Sequence, residues 1–88
     1  MKERIIKQNI KGNDVVYTER MYYGSKYYYL HEINGISIPE TDPFPKKKNL
    51  VDFVDCYNET KDVSLSLRLG FRPEGMSIKD AMNLIQKL

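Results

Sequence analysis

The first 38 residues alternate apolar and aromatic stretches with turn residues, a pattern typical of antiparallel strands joined by tight hairpins. Turns are predicted at Gly12-Asn13, Gly24-Ser25 and Asn34-Gly35, because glycine and asparagine accept the positive φ angle that short hairpin turns require. Between them the pattern predicts four strands, over residues 3–10, 15–23, 26–33 and 36–38. Pro39 ends the last strand because it lacks a backbone donor.

The second half of the chain carries a period-2 pattern between two helical patterns. Apolar pairs recur from Asn49 to Asn58 and predict a helix, with Asn49 as its cap and Asp52 in the capping-box position. Strict alternation from Asp62 to Phe71 predicts a fifth strand. A final helix is predicted after its cap at Ser77. Its apolar stripe comprises Ile78, Ala81, Met82, Ile85 and Leu88.

The resulting ββββαβα order predicts one small α+β domain over residues 1–88. In this arrangement an antiparallel meander sheet of about five strands has two amphipathic helices packed on one face. Residues 39–48 contain three prolines and three consecutive lysines, and they predict an extended loop within that domain.

Composition excludes some partners. No apolar stretch approaches the roughly 20 residues of a membrane span, and the chain start lacks a signal-peptide core, so we expect a cytoplasmic protein without a membrane partner. Fourteen basic and twelve acidic residues leave a net charge of +2, too small to make nucleic acid the default partner.

The single cysteine cannot close an internal disulfide. A homodimer therefore stays possible, through an edge strand at 3–10 or 36–38.

Catalytic and metal sites have few candidate residues. His31 is the only histidine and Cys56 the only cysteine, and the sequence has neither a metal-ligand spacing nor a glycine-rich phosphate loop. In a strand, His31 shares a face with Tyr27 and Tyr29, which favours a sheet-surface role over general-base catalysis. Cys56 is expected to be a buried structural thiol. We therefore expect a non-enzymatic protein without cofactor or metal.

Seven tyrosines are the most unusual feature, and five of them crowd one hairpin. Strand alternation places Tyr27 and Tyr29 on one side of the sheet and Tyr28 on the other. The side that helices do not cover would present tyrosine rings suited to protein contact. The alternative is that strand propensity alone enriches tyrosine. The predicted protein-binding residues are Tyr22, Tyr27, Tyr29, His31 and Phe44.

Basic residues support an alternative function, direct DNA or RNA binding by the same sheet face. Lysine and arginine side chains would neutralise phosphates while tyrosine rings stack on bases. The residues of this alternative are Arg20, Lys26, Lys46, Lys47, Lys48 and Arg68. Acidic residues that closely follow the lysine run count against it.

A meander ending in Leu69-Gly70-Phe71, followed by a helix that opens at residues 77–81, resembles the small DNA-binding domains at the start of phage and transposon integrases. That resemblance implies a sheet that reads DNA. The chain departs from it by an insertion at residues 72–76 and by an extra helix before the last strand.

The leading hypothesis is a small interaction protein that docks its tyrosine-bearing sheet face on another protein. A cysteine-poor domain of this size without a catalytic set is typical of accessory proteins of phages and mobile elements. Such proteins often act as stoichiometric inhibitors or regulators of a host or defence protein. We therefore expect a role of this kind.

Overall fold

Four antiparallel strands form a meander in the order β1-β2-β3-β4. The computed structural model describes residues 2–39 and 42–86, and the chain divides into two compact units, residues 1–51 and 52–88. The strands are β1 (Lys2–Ile10), β2 (Asn13–Tyr22), β3 (Ser25–Ile33) and β4 (Ile36–Ser37). In the described part of the chain, three helices follow them: α1 (Lys47–Thr60), α2 (Val63–Leu69) and α3 (Ile78–Gln86). The predicted α+β class and the four-stranded meander are confirmed.

Two-residue turns with glycine second join the strands: Lys11-Gly12, Tyr23-Gly24 and Asn34-Gly35. Both residues of each turn have positive φ, as in type I′ turns, whose twist matches that of the flanking strands. The turn predicted at residues 34–35 is confirmed. The first two turns begin one residue earlier than predicted, because glycine takes the second turn position. Tyr23 consequently lies in a turn, with φ 49°, and not on β2.

One side of the sheet, here called the Tyr17 face, carries the buried apolar residues Val15, Tyr17, Leu30 and Ile33. The register pairs Val15 with Ile33 and Tyr17 with Leu30, and an irregularity between these pairs adds one residue to β3. Because a β-bulge inserts an unpaired residue, Leu30 and Ile33 reach the same side in spite of their odd spacing. This bulge keeps the apolar side of β3 continuous.

The segment after β4 covers the free edge of β3. The Ile38 N–H donates to the His31 carbonyl at 2.8 Å. Phe44 and Tyr28 then exchange two backbone hydrogen bonds, of 2.8 and 3.0 Å. The described part of the predicted loop is thus attached to the sheet. Lys47 and Lys48 belong to α1 and not to this loop.

Helix α1 begins two residues before the predicted cap, so Asn49 lies within its first turn. Asp52 is not a capping residue either, because it lies beyond the first turn of α1. Its carboxylate accepts two hydrogen bonds from the Arg72 guanidinium, at 2.7 and 2.8 Å. Arg72 also donates to the carbonyls of Leu69 and Met76. A bidentate ion pair of this kind is strong and directional. Arg72 therefore connects α1, the end of α2 and the following loop within the C-terminal unit.

The predicted fifth strand is wrong, because residues 63–69 form helix α2. Asp62 caps this helix, and its Oδ1 accepts the Leu65 N–H at 3.0 Å. Lys61, with φ 55°, separates the end of α1 from this cap. The alternating leucines also contain pairs four residues apart, and Leu65 and Leu69 thereby share one helix side. The resemblance to integrase DNA-binding domains loses the strand on which it depended.

A buried cluster of Cys56, Leu69 and Ala81 brings the three helices together in the C-terminal unit. Ser77 caps α3, as predicted, since its Oγ accepts the Asp80 N–H at 3.1 Å. The predicted apolar stripe of α3 packs on the cluster, and Leu88 lies outside the described residues. The partly buried residues around the cluster are Leu65, Met76, Ile78, Met82 and Ile85.

Candidate functional site

The sheet side opposite the Tyr17 face carries tyrosines from two neighbouring strands. The register pairs Thr18 with Tyr29 and Arg20 with Tyr27. Directly opposed residues, and residues two apart along a strand, lie on the same side of a sheet. The surface formed by Thr18, Arg20, Tyr22, Tyr27 and Tyr29 is called the tyrosine face below.

A shallow depression of about 320 Å³ lies on the tyrosine face, lined by Arg20, Tyr22, Tyr27, Tyr29 and Pro43. Tyr22 is 49% exposed, and Tyr27 and Tyr29 are half-buried. Its volume is at the small end of the range for ligand sites, roughly 300–1,000 Å³. The depression therefore has room for one or two side chains of a partner.

Arg20 is held in place at one wall of this depression. Its Nε and Nη2 donate to the same Glu3 oxygen at 3.1 and 3.0 Å. Its guanidinium also lies over the Tyr29 ring, 4.7 Å from the ring centroid. The hydrogen bond to Glu3 raises the pKa of Arg20 above its usual value. The Glu3 carboxylate balances the charge of Arg20. Arg20 therefore offers a partner a planar contact surface and contributes little net positive charge.

His31 lies beside the depression, on the same sheet side. Its Nε2 is 2.6 Å from the Thr18 hydroxyl oxygen, a hydrogen bond across the two central strands. Thr18 is only 8% exposed, whereas His31 is exposed. The structure thus places His31 with Tyr27 and Tyr29, as strand alternation predicts. The position suits a contact residue at the border of the tyrosine face.

Phe44 does not join this site, and the prediction that grouped it with Tyr27 and Tyr29 is wrong. It forms an antiparallel bridge with Tyr28, and directly opposed residues lie on the same sheet side. Tyr28 is on the Tyr17 face, where its ring centroid is 6.1 Å from that of Tyr17. Phe44 therefore belongs to the Tyr17 face. Pro43, one residue earlier, lines the depression in its place.

The basic residues of the nucleic-acid alternative do not form one surface. Arg20 is on the tyrosine face, but Lys26 pairs with Glu19 at 3.0 Å on the Tyr17 face. Arg68 is on α2, in the C-terminal unit, and not on a strand as predicted. The two sheet residues of this set consequently project to opposite sides.

The lysine run is also divided. The Lys47 ammonium donates to the Tyr17 hydroxyl at 2.6 Å and to Gln8 Oε1 at 3.1 Å, and it lies near the Tyr17 ring. The Lys47 ammonium is therefore already hydrogen-bonded to residues of the Tyr17 face. Lys46 and Lys48 are exposed and accessible to an anionic partner.

Cys56 is buried in the apolar cluster of the C-terminal unit, and two polar side chains lie near its sulfur. Its Sγ lies 3.6 Å from Arg72 Nη1 and 4.0 Å from Asp52 Oδ2. Desolvation raises the pKa of the thiol, and the Asp52 charge adds to this effect. Because the thiolate is the nucleophilic form, a buried thiol with a raised pKa is unreactive at neutral pH.

The sequence patterns missed a second exposed apolar surface, in the C-terminal unit. Phe71 is 86% and Leu84 52% exposed, and both line a depression of about 220 Å³ together with Met76. The exposure of Phe71 was not predicted, because the sequence pattern assigned this residue to the fifth strand. The exposure of Leu84 was predictable, since this apolar residue lies outside the apolar stripe of α3. The position of Pro43 in the depression was not predictable from the sequence, because it depends on the bridge between Phe44 and Tyr28.

Among the described residues, no group of three or more His, Cys, Asp or Glu side chains is placed to hold a metal ion. No helix in that part of the chain is both long and apolar enough to cross a membrane. No protein-family model matches the chain, and comparison with curated proteins and with solved structures finds no significant match.

Proposed function

We propose that this chain is a small non-enzymatic interaction protein whose tyrosine face docks on another protein. The observation that carries the proposal is the open depression formed by Arg20, three tyrosines and Pro43. The opposite face contains the buried apolar residues of β2 and β3, including Val15 and Tyr17. The tyrosine rings are therefore accessible on a surface that the sheet core does not require.

The chemistry of this surface suits protein binding. Tyrosine combines a large apolar ring, few rotatable bonds and one hydroxyl, and it is common among the residues that dominate interface energies. Arg20 is already fixed by Glu3 and Tyr29, so binding immobilises it at a small entropic cost. The fitting partner presents an apolar side chain to the depression, and hydrogen-bonding groups to the tyrosine hydroxyls.

Within this class, we propose a stoichiometric inhibitor or regulator of a host or defence protein. Support comes from the composition, which resembles that of phage and mobile-element accessory proteins. The chain is small, cysteine-poor and tyrosine-rich. A surface of this kind acts by occupying a partner and needs no catalytic group.

Nucleic-acid binding by the same face is the second candidate. The observation that favours it is the Arg20 guanidinium over the Tyr29 ring, since bases stack on aromatic rings and on guanidinium planes. The opposite placement of Lys26 and the occupied Lys47 ammonium count against it.

The test compares capture of partners by the wild type and by single variants, with and without nuclease. We expect one protein to be retained in fixed stoichiometry after nuclease treatment. Tyr22→Ala and Tyr27→Ala should each weaken its binding by about 2 kcal/mol, roughly 30-fold, as truncated aromatic anchors do. Phe71→Ala is the matched control, because it removes an 86% exposed ring from the C-terminal unit. Circular dichroism verifies that each variant is folded.

Two outcomes would contradict protein docking by this face. Unchanged affinity of both tyrosine variants for the captured protein would place its binding site elsewhere. Capture of nucleic acid alone, lost with nuclease and with added salt, would establish the second candidate. In that case, neutralising Lys46 and Lys48 should reduce the salt dependence by up to about 0.9 log unit per lost phosphate contact.

A further inference from the structure

Strand β1 forms an open edge of the sheet. It is first in the strand order, and among the described residues no strand pairs with its outer side. Seven of its nine residues are exposed, and only Ile6 and Ile10 are partly or fully buried. The edge of β3, by contrast, is covered by β4 and Phe44. A long exposed edge is a ready template for pairing with another strand.

Turn geometry shows which backbone groups of β1 are available. A two-residue turn is closed by a hydrogen-bonded pair, here Ile10 and Asn13, and hydrogen-bonded and non-hydrogen-bonded pairs then alternate along the ladder. The same alternation leaves Tyr28 of β3 free to bond Phe44 on its outer side. On β1 the N–H and C=O groups of Glu3, Ile5 and Lys7 therefore point outward.

Ile5 lies at the middle of this open edge and is 70% exposed. It is paired with Thr18, so its side chain is on the same sheet side as the tyrosine face. Glu3 and Lys7 flank it on that side, two residues away in each direction. An exposed β-branched residue between opposite charges is a self-complementary pattern for an antiparallel pair.

We propose that the outer edge of β1 pairs antiparallel with β1 of a second copy, with Ile5 on the twofold axis. In this register Ile5 packs on Ile5 of the second copy, and Glu3 lies opposite Lys7 of the second copy on both sides of the axis. The outward N–H and C=O groups of Glu3, Ile5 and Lys7 pair across the interface. Two four-stranded sheets thereby become one sheet of eight strands.

Charge distinguishes this register from its neighbours. An axis at Arg4 brings two guanidinium groups together, and an axis at Lys7 brings two ammonium groups together. An axis at Ile6 places Ile5 opposite Lys7. Like charges directly opposed in a sheet are destabilising, whereas opposite charges stabilise the pair. The Ile5 axis is the register that buries the exposed isoleucine and pairs both charges.

The test is sedimentation equilibrium of the untagged chain with a charge-reversal cycle. We expect a reversible dimer in the wild type. Lys7→Glu and Glu3→Lys each place like charges across the axis twice, which should raise the dimer dissociation constant about tenfold. Glu3→Lys also removes the ion pair between Glu3 and Arg20, so Lys7→Glu is the primary variant. The double variant Glu3→Lys/Lys7→Glu restores opposite charges and should recover the dimer. Lys79→Glu, on exposed α3 surface, is the control for net charge.

Hydrogen exchange gives an independent measurement on the wild type. The outward amides of Ile5 and Lys7 should become protected as concentration rises into the dimer range. A monomer at all concentrations would overturn the proposal, as would a dimer unaffected by either single reversal. Lys7→Glu leaves the ion pair between Glu3 and Arg20 and the tyrosines intact, so its partner capture is measured separately, and failure of the dimer and failure of the proposed docking function are distinguishable.

Discussion

Glu19 is a largely enclosed carboxylate on β2 that forms ion pairs with two neighbouring basic side chains. Its side chain is 12% exposed and pairs with Lys26 at 3.0 Å and with Arg4 at 2.9 Å. The hydrogen bond from Lys26, followed by that from Arg4, lowers the pKa of Glu19 below 4.5. The ionised carboxylate is thus favoured in the folded state.

This lowered pKa predicts how stability changes with pH. A carboxylate whose pKa is lowered on folding stabilises the protein above its unfolded pKa, and this contribution is lost as pH falls through the folded pKa. Glu19→Gln should therefore lower the free energy of unfolding by about 1 kcal/mol at pH 7, as partly exposed ion pairs do. The difference from the wild type should be smaller at pH 3 than at pH 7, because the carboxylate becomes protonated as pH falls through the lowered pKa. Urea unfolding at both pH values measures it.

The control for this measurement is Glu59→Gln, which removes an exposed carboxylate from α1. It should change stability much less at either pH. If the Glu19→Gln difference were equal at pH 3 and pH 7, lost packing and not lost charge would be its cause.

At the scale of elements, the meander was predictable because its signals are local. Glycine turns at fixed spacing and the apolar positions of β2 specify strands and hairpins without reference to the rest of the chain. Segment 62–71 was not predictable in this way, since leucines at every second position satisfy both a strand and pairs four residues apart on a helix. Asp62 was the deciding signal, because an aspartate before an apolar run is also a helix cap.

The candidate site also combines residues whose positions were predictable from local sequence with residues whose positions were not. The positions of Tyr27 and Tyr29 follow from alternation alone, and the structure places both on one sheet side. Pro43 and Phe44 follow from a single long-range bridge to Tyr28, which no local pattern indicates. The local part of the tyrosine face was therefore predictable, and the part contributed by the loop was not.

The cap of α2 leads to a prediction at this scale. Asp62→Ala removes the acceptor of the Leu65 N–H and should destabilise the chain by about 1 kcal/mol, whereas Asp62→Asn should retain most of the stability. Thermal unfolding followed by far-ultraviolet circular dichroism measures both. Ser64→Ala, exposed on the same helix, is the control. Equal stability of the alanine and asparagine variants would mean that the cap does not stabilise α2.

At the scale of the whole molecule, the proposed dimer and the proposed docking surface are linked by symmetry. A twofold axis between two antiparallel edge strands is perpendicular to the combined sheet, so corresponding faces of the two copies lie on the same side. The two tyrosine faces would then point in one direction. A dimer arranged in this way is bivalent toward a partner that is itself dimeric or densely displayed.

Bivalence predicts that affinity depends on the density of the partner. On a surface that carries the captured partner densely, the wild-type dimer should bind at least about 100-fold more tightly than it does on a sparse surface. Lys7→Glu keeps Tyr22, Tyr27 and Tyr29, and at a concentration below its raised dimer dissociation constant it should bind both surfaces with the same monovalent affinity. Surface plasmon resonance at two partner densities measures the difference. If Lys7→Glu retained the full gain on the dense surface, the two tyrosine faces would act independently of β1 pairing.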